Sequence, residues 1–129
     1  MSAFSDALSV TSSGLRSQAA RLRVVSENIA NVDTPGYRRK TMGFDSTRGE
    51  NGLSSVAPGK VNLSRDPLTE IFDPGNPLSG ADGTYEGSNV DLMIEIADAR
   101  EAQRSYEANL KMFDQTRQMS SALLDLLRR

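Results

Sequence analysis

Ser26-Glu27-Asn28-Ile29-Ala30-Asn31-Val32-Asp33-Thr34-Pro35-Gly36-Tyr37-Arg38 is where the chain changes character. Thr34 precedes a proline and is biased away from helix, Pro35 has no amide to donate, and Gly36 suits a positive φ. A helix arriving from the N-terminus therefore stops near Asn31. Upstream of the stop, Leu8, Leu15, Leu22 and Ile29 recur at heptad spacing, with Phe4, Thr11, Gln18, Val25 and Val32 as the alternating set between them. The pattern predicts one helix over about residues 3–31 with a two-position seam. Thr11 and Gln18 are polar members that weaken the seam and set its register.

Downstream, residues 41–89 are punctuated by glycine and proline, and no helical period survives. Lys60-Val61-Asn62-Leu63-Ser64 and Leu68-Thr69-Glu70-Ile71-Phe72 alternate as strands do, so hairpins and loops are expected here. Helix resumes at Ser88-Asn89-Val90-Asp91, where Ser88 or Asn89 caps and Asp91 follows Ser88 at capping-box spacing. Beyond it, Leu92, Ile96, Ala99, Gln103, Tyr106, Leu110, Phe113, Arg117, Ser120, Leu124 and Leu127 form a mostly apolar stripe in steps of four and three. A patchier second stripe (Val90, Met93, Ala97, Ala108, Met112, Met119, Leu123, Leu126) widens the apolar surface, which suits a helix with more than one partner.

The chain has 129 residues, 37% hydrophobic and only 5% aromatic, with no Trp, so its interior is built mainly from aliphatic side chains and Met. There are no cysteines and no histidines, which removes disulfides, thiolate nucleophiles, the usual zinc sites and the ordinary general base. The formal charge is −2. The one dense basic patch, Arg38-Arg39-Lys40, suits a solvated turn or an acidic neighbour better than a phosphate or lipid head group, and nothing suggests a nucleic-acid surface. No apolar run approaches the ~18 residues of a membrane span. Met1 to Asp6 lack a basic head followed by an apolar stretch, so no cleaved secretory signal is expected, and these features alone read as cytoplasmic.

These elements predict a mainly α fold, with long N- and C-terminal helices packed as a coiled-coil-like hairpin and a small irregular or β-containing middle. The expected division is 1–40 for the first helix and its turn, 41–88 for the Gly- and Pro-rich middle, and 89–129 for the last helix, forming one structural unit with 1–40. A buried leucine contributes roughly 1.5 to 3 kcal/mol while ordering a residue costs about 1.5 kcal/mol, so a lone two-helix hairpin is marginal. Two outcomes follow: a core completed by other copies on assembly, or a monomeric hairpin packed on its own β-rich middle.

The stretch quoted at the outset, an Asn-apolar-Ala-Asn core followed by Thr-Pro-Gly-Tyr, resembles the signature that ends the N-terminal helix in flagellar rod and hook proteins. Asp73-Pro74-Gly75-Asn76-Pro77-Leu78, Ser88-Asn89-Val90-Asp91-Leu92 and Arg104-Ser105-Tyr106-Glu107-Ala108-Asn109 are similar to the proximal-rod branch of that family. Residues 41–72 match poorly. The resemblance implies a structural subunit of the basal-body proximal rod that polymerises into the torque-transmitting drive shaft, is exported without a cleaved signal through the flagellar type III apparatus, and sits in the periplasm-spanning rod. It implies B-type, F-type and G-type rod subunits, the rod–MS-ring adaptor and the export apparatus as partners, with no nucleic acid, small-molecule substrate, cofactor or direct membrane insertion. The alternative is a cytoplasmic coiled-coil binding module or export chaperone. Subunit contacts are expected at Leu8, Leu15, Leu22, Asn28, Ile29, Asn31, Tyr37, Tyr106, Leu110 and Phe113; for the two asparagines the plainer reading is a helix stop with surface polarity.

No catalytic, cofactor or metal residues are assigned. Asp91, Glu95 and Asp98 share one side of the last helix, and without a histidine or partner cluster they read as a solvated face. Asp73, Asn76 and Asp82 lack the regular acids and closing Glu of a calcium loop. Asn62-Leu63-Ser64 matches a glycosylation triplet that is common by chance. No nucleophile-elbow or phosphate-loop motif occurs, and the chain is not expected to be an enzyme.

Overall fold

The computed structural model describes residues 2–128. In chain order the elements are α1 (Ser2–Ala30), β1 (Lys40–Arg48), β2 (Ser54–Leu63), β3 (Glu70–Phe72), β4 (Thr84–Glu86) and α2 (Leu92–Leu127). The helices run antiparallel. Asn28 meets Glu95, Arg21 meets Glu101, and Gly14 lies against Asn109, so facing residue numbers add to about 123. The other side of α1 carries the β1–β2 hairpin, where the Val56 N–H donates to Ser13 Oγ at 3.2 Å. Ser13 Oγ in turn donates to the Val10 carbonyl at 2.6 Å, which explains how a serine is tolerated at a buried position.

The expected mainly α, coiled-coil-like hairpin is corrected on two counts. The chain is 51% helix and 20% strand, with two separate antiparallel sheets, β1–β2 and β3–β4. The helix pair also does not close on its leucine seam. Leu8, Leu15, Leu22 and Ile29 are only half-buried, and the fully buried positions of α1 are Ser13, Ser17, Val24, Val25 and Asn28. On α2 the buried positions are Glu95 and Ala102, whereas Leu92, Ile96, Leu110, Leu124 and Leu127 of the expected stripe face outward. The physical reason is twofold. Small residues at the contact let the backbones approach, since a Cβ on Gly14 would stand 3.0 Å from Asn109 Nδ2. The polar pair Asn28–Glu95 then sets the rotation of both helices, because buried polar groups must face their partners.

Helix boundaries follow local chemistry. α1 ends at Ala30, where the chain turns at Pro35-Gly36 with Gly36 at φ 74. The cap of α2 is Asp91, whose carboxylate accepts from the Met93 N–H at 3.0 Å. Ser88 and Asn89, expected as caps, are committed elsewhere, as described below. The alternating runs 60–64 and 68–72 contribute to β2 and β3, and β1 pairs with β2 from Lys40↔Leu63 to Arg48↔Ser54. Its register shifts between Met42↔Val61 and Phe44↔Pro58, so that Gly43 alone stands opposite Gly59 and Lys60. Pro58 cannot donate to a ladder, and a bulge accommodates it. In the β3–β4 connection, Thr84 donates from Oγ1 and N to Asp82, and these bonds hold the Asp82 carboxyl below its ordinary range.

A Cβ on Gly59 would lie 2.8 Å from the Gly43 carbonyl oxygen, while one on Gly43 would meet nothing within 4 Å. Gly59→Ala should therefore lower stability by about 1–3 kcal/mol through hairpin displacement, and Gly43→Ala by less than ~1 kcal/mol. Urea melts of the two variants check the contrast; equal midpoints would contradict it.

Candidate functional site

Asn28 is the centre of a buried polar junction where α1, β1 and α2 meet. Its side chain is 1% exposed. Its Nδ2 donates to the Lys40 carbonyl at 2.8 Å and to Glu95 Oε2 at 3.2 Å. Its Oδ1 accepts from the Lys40 N–H at 2.9 Å and from the Tyr37 hydroxyl at 2.9 Å. A carboxamide offers two donors and two acceptor lone pairs, so Asn28 is saturated. Toward Lys40 it behaves as a strand would, matching one N–H and one C=O at the first residue of β1 and fixing where that strand begins.

Glu95 is 0% exposed and lies between Asn28 and Arg39, whose Nε donates to Glu95 Oε1. Arg39 Nη2 reaches Asp98 at 3.0 Å, and Arg21 approaches Asp98 at 3.9 Å and Glu101 at 3.5 Å. Charges thus alternate along the α1–α2 contact, and the buried carboxylate has both a cation and an amide. The solvated-face reading of Asp91, Glu95 and Asp98 is overturned: Asp91 caps α2 and the other two hold Arg39. Of the basic patch, Arg39 and Lys40 find acidic neighbours, Lys40 with Glu27 at 3.3 Å, while Arg38 donates to the Ser64 and Asp66 carbonyls at 3.2 Å.

The turn after α1 is docked on the segment that leads into α2. The Gly36 N–H points at the Glu86 and Gly87 carbonyls at 3.2 and 3.1 Å. Ser88 Oγ donates to the Val32 carbonyl, and Asn89 Oδ1 accepts from the Arg39 N–H at 2.6 Å. Asn31 closes the helix end from the other side, donating to the Glu27 carbonyl at 2.8 Å and accepting from Thr34 Oγ1 at 3.0 Å. Burial, with the Glu27 and Glu95 carboxylates adding to it, pushes the Tyr37 hydroxyl above its ordinary 10.0. The ionic groups at the junction are tied to structural partners, and the arrangement orients backbone. Among the described residues, no cluster of three or more candidate metal ligands gathers.

The residues expected at subunit contacts divide. Asn28 makes all its bonds within the protomer, Tyr37 gives its hydroxyl to Asn28, and Asn31 bonds its own helix end. Leu8, Leu15, Leu22, Ile29, Tyr106 and Phe113 are half-buried, and Leu110 is 41% exposed. Sequence reasoning allowed Arg39 an acidic neighbour, which it has, but read Glu95 as solvated and Ser88 as a cap, and so missed the buried place of Glu95 beside Asn28 and the bond of Ser88 to the Val32 carbonyl. A lone charge inside Leu92-Met93-Ile94-Glu95-Ile96 was the available signal, since a charge in an apolar run is tolerated inside only with a partner. It also undervalued the outer flank of α2, where Met93, Met112, Leu126 and Leu127 are each more than half exposed.

Truncating either member of the buried pair, Arg39→Ala or Glu95→Ala, should cost about 3–5 kcal/mol, and Arg39→Met with Glu95→Leu should cost less than the two losses together. Asn28→Asp loses both donors and sets a carboxylate against Glu95, for about 3 kcal/mol or more. Denaturant melts and a double-mutant cycle measure these; additive losses would contradict the pairing. For Tyr37, folding favours the neutral phenol, so its contribution is complete below 10.0 and is lost as pH rises through the raised folded value. Tyr37→Phe should remove that step from an alkaline unfolding titration.

Two family models match the chain: Flagella basal body rod protein over residues 8–38, and Flagellar basal body rod FlgEFG protein C-terminal over residues 81–126. These are the two segments that meet at the junction. The chain is 43% identical to the flagellar basal-body rod protein FlgC of Agrobacterium fabrum, over 99% of this chain and 98% of that one. It is 32% identical to the protein of that name from Salmonella typhimurium over 91% and 92% of the two chains, and 31% identical to that of Bacillus subtilis over 98% and 99%. With a turn signature that the fold holds in place and relatives aligned over nearly their full length, the chain belongs to the flagellar basal-body rod protein family and is a structural subunit of the bacterial flagellar rod.

Proposed function

We propose that this rod subunit is built to be completed by its neighbours, with the buried junction holding the protomer in shape and the outward apolar flank of α2, beside the half-buried leucines of α1, supplying the contacts of a stiff, torque-carrying shaft around a central channel. The observation that carries this is surface. A monomer of 14.0 kDa is expected to expose about 6,700 Å², and this one exposes 9011 Å². The excess of roughly 2,300 Å² corresponds to more than two standard contacts at ~800 Å² per partner. Among the described residues, the buried apolar side chains are Val24, Val25 and Ala102, while eleven large exposed ones lie on α2 alone.

The partners in this reading are the other rod subunits of the B, F and G types and the adaptor at the MS ring, with delivery by the export apparatus and no cleaved signal. Residues 1–40 and 89–129 act as one unit, and the work is mechanical rather than enzymatic. Heterologous contacts repeated along a helix produce a shaft instead of a closed ring.

Deleting the gene should abolish motility and leave basal bodies halted near the inner membrane. Complementation with Met112→Asn and Met119→Asn together should yield a protomer of near wild-type stability, since both side chains are exposed at 54% and 56%, yet fail to restore rods. Swimming cells with full-length rods would contradict the assignment of this flank to assembly. A stable helical dimer in purified form, absent from basal bodies, would favour a binding module or chaperone instead.

A further inference from the structure

The register of the helix pair has an end effect. With facing numbers adding to about 123, Ser2 of α1 stands level with residue 121, so the last turn and a half of α2 projects past the end of α1. That projection carries Leu123, Leu124, Leu126 and Leu127, exposed by 40%, 39%, 64% and 72%. At the helical repeat these four share one contiguous side, with Asp125 on the opposite one. Beside the start of α1 lies an open apolar groove, lined by Ala7, Val10, the hairpin-tip Leu53 and Met112, with Asp6 in its wall.

We propose that the leucine overhang of one copy seats in this groove of a second copy, a contact that rests on the rod reading and specifies one of its interfaces. Three observations select this occupant. The groove is lined mainly by apolar surface, as the overhang is. Arg128, the C-cap of α2 at the overhang, carries the charge opposite to that of Asp6 in the groove wall. Groove and overhang both lie toward the same end of the protomer, so two parallel copies offset along the helix axis bring one over the other. Sliding Leu126 to the level of residue 116, opposite Ala7, takes ten residues of helix, or about 15 Å. The overhang of the second copy stays free for a third, so the contact is heterologous and propagates.

The chain has no cysteine, which makes a cross-linking test clean. Cells are made to express two single-cysteine forms together, Ala7→Cys and Leu126→Cys, and isolated basal bodies are oxidised. The expected product is a disulfide-linked pair at twice the monomer mass, joining the two forms, absent when Arg104→Cys on the exposed side of α2 replaces Leu126→Cys. Leu123→Asp with Leu127→Asp, added to the Leu126→Cys form, should abolish the link and rod growth while leaving the denaturant midpoint of the protomer unchanged, since both leucines are exposed. Recovery of Leu126→Cys chains linked to another rod protein, or of unlinked chains in complete rods, overturns the proposal and leaves the rod reading standing. Absence of the unmodified chain from basal bodies overturns both.

Discussion

The saturated carboxamide of Asn28 is the constraint on which the protomer depends. It binds Lys40 through both of that residue's backbone groups, Tyr37 through its hydroxyl, and Glu95 across the helix pair. One side chain thereby fixes where β1 begins, which way α2 is rotated, and how far the two helices slide past each other. Leaving any of these groups buried and unpaired costs about 1–3 kcal/mol, and more for the Glu95 charge, so alternative registers are excluded more strongly than this register is favoured. A polar pair acting as a register device has a parallel in the single polar position of a coiled-coil seam.

What this arrangement faces inward determines what it leaves outside. Apolar flanks of α1 and α2 that would make a leucine seam are turned sideways by the Asn28–Glu95 and Arg39–Glu95 contacts. The interior between the helices is accordingly small and polar at one end, with Gly14, Ser17 and Ala102 permitting close approach along its length. A subunit of this kind is specific in shape and weak in core. In the proposed reading its remaining hydrophobic stabilisation comes from the polymer, where neighbours cover the outer flank of α2.

The sequence made the ends of the long helices legible because they rest on local chemistry. Thr34-Pro35-Gly36 stops α1 wherever the rest of the chain goes, and α2 opens within three residues of the expected cap. The seam was misjudged because periodicity identifies an apolar face without saying which molecule covers it. Leu15 and Leu22 recur as a coiled coil requires, yet the buried positions of α1 are Ser13, Ser17, Val24, Val25 and Asn28, of which only Val25 belongs to the expected seam. The family signature was recognisable in 26–38, but the partner of Asn28 lies 67 residues away, and no local rule connects them. β1 was the least legible element, since Gly43 interrupts its alternation and its pairing with β2 requires a bulge that only the Pro58-Gly59 geometry explains.

Hydrogen exchange of the backbone amides, followed by mass spectrometry in the dilute free chain, tests the central claim most directly. The account predicts slowest exchange in 26–40 and 86–98, with progressively faster exchange along 112–127 that becomes protected only on assembly. Uniform protection along both helices at the lowest concentration, with the region around Asn28 no slower than the ends, would contradict it.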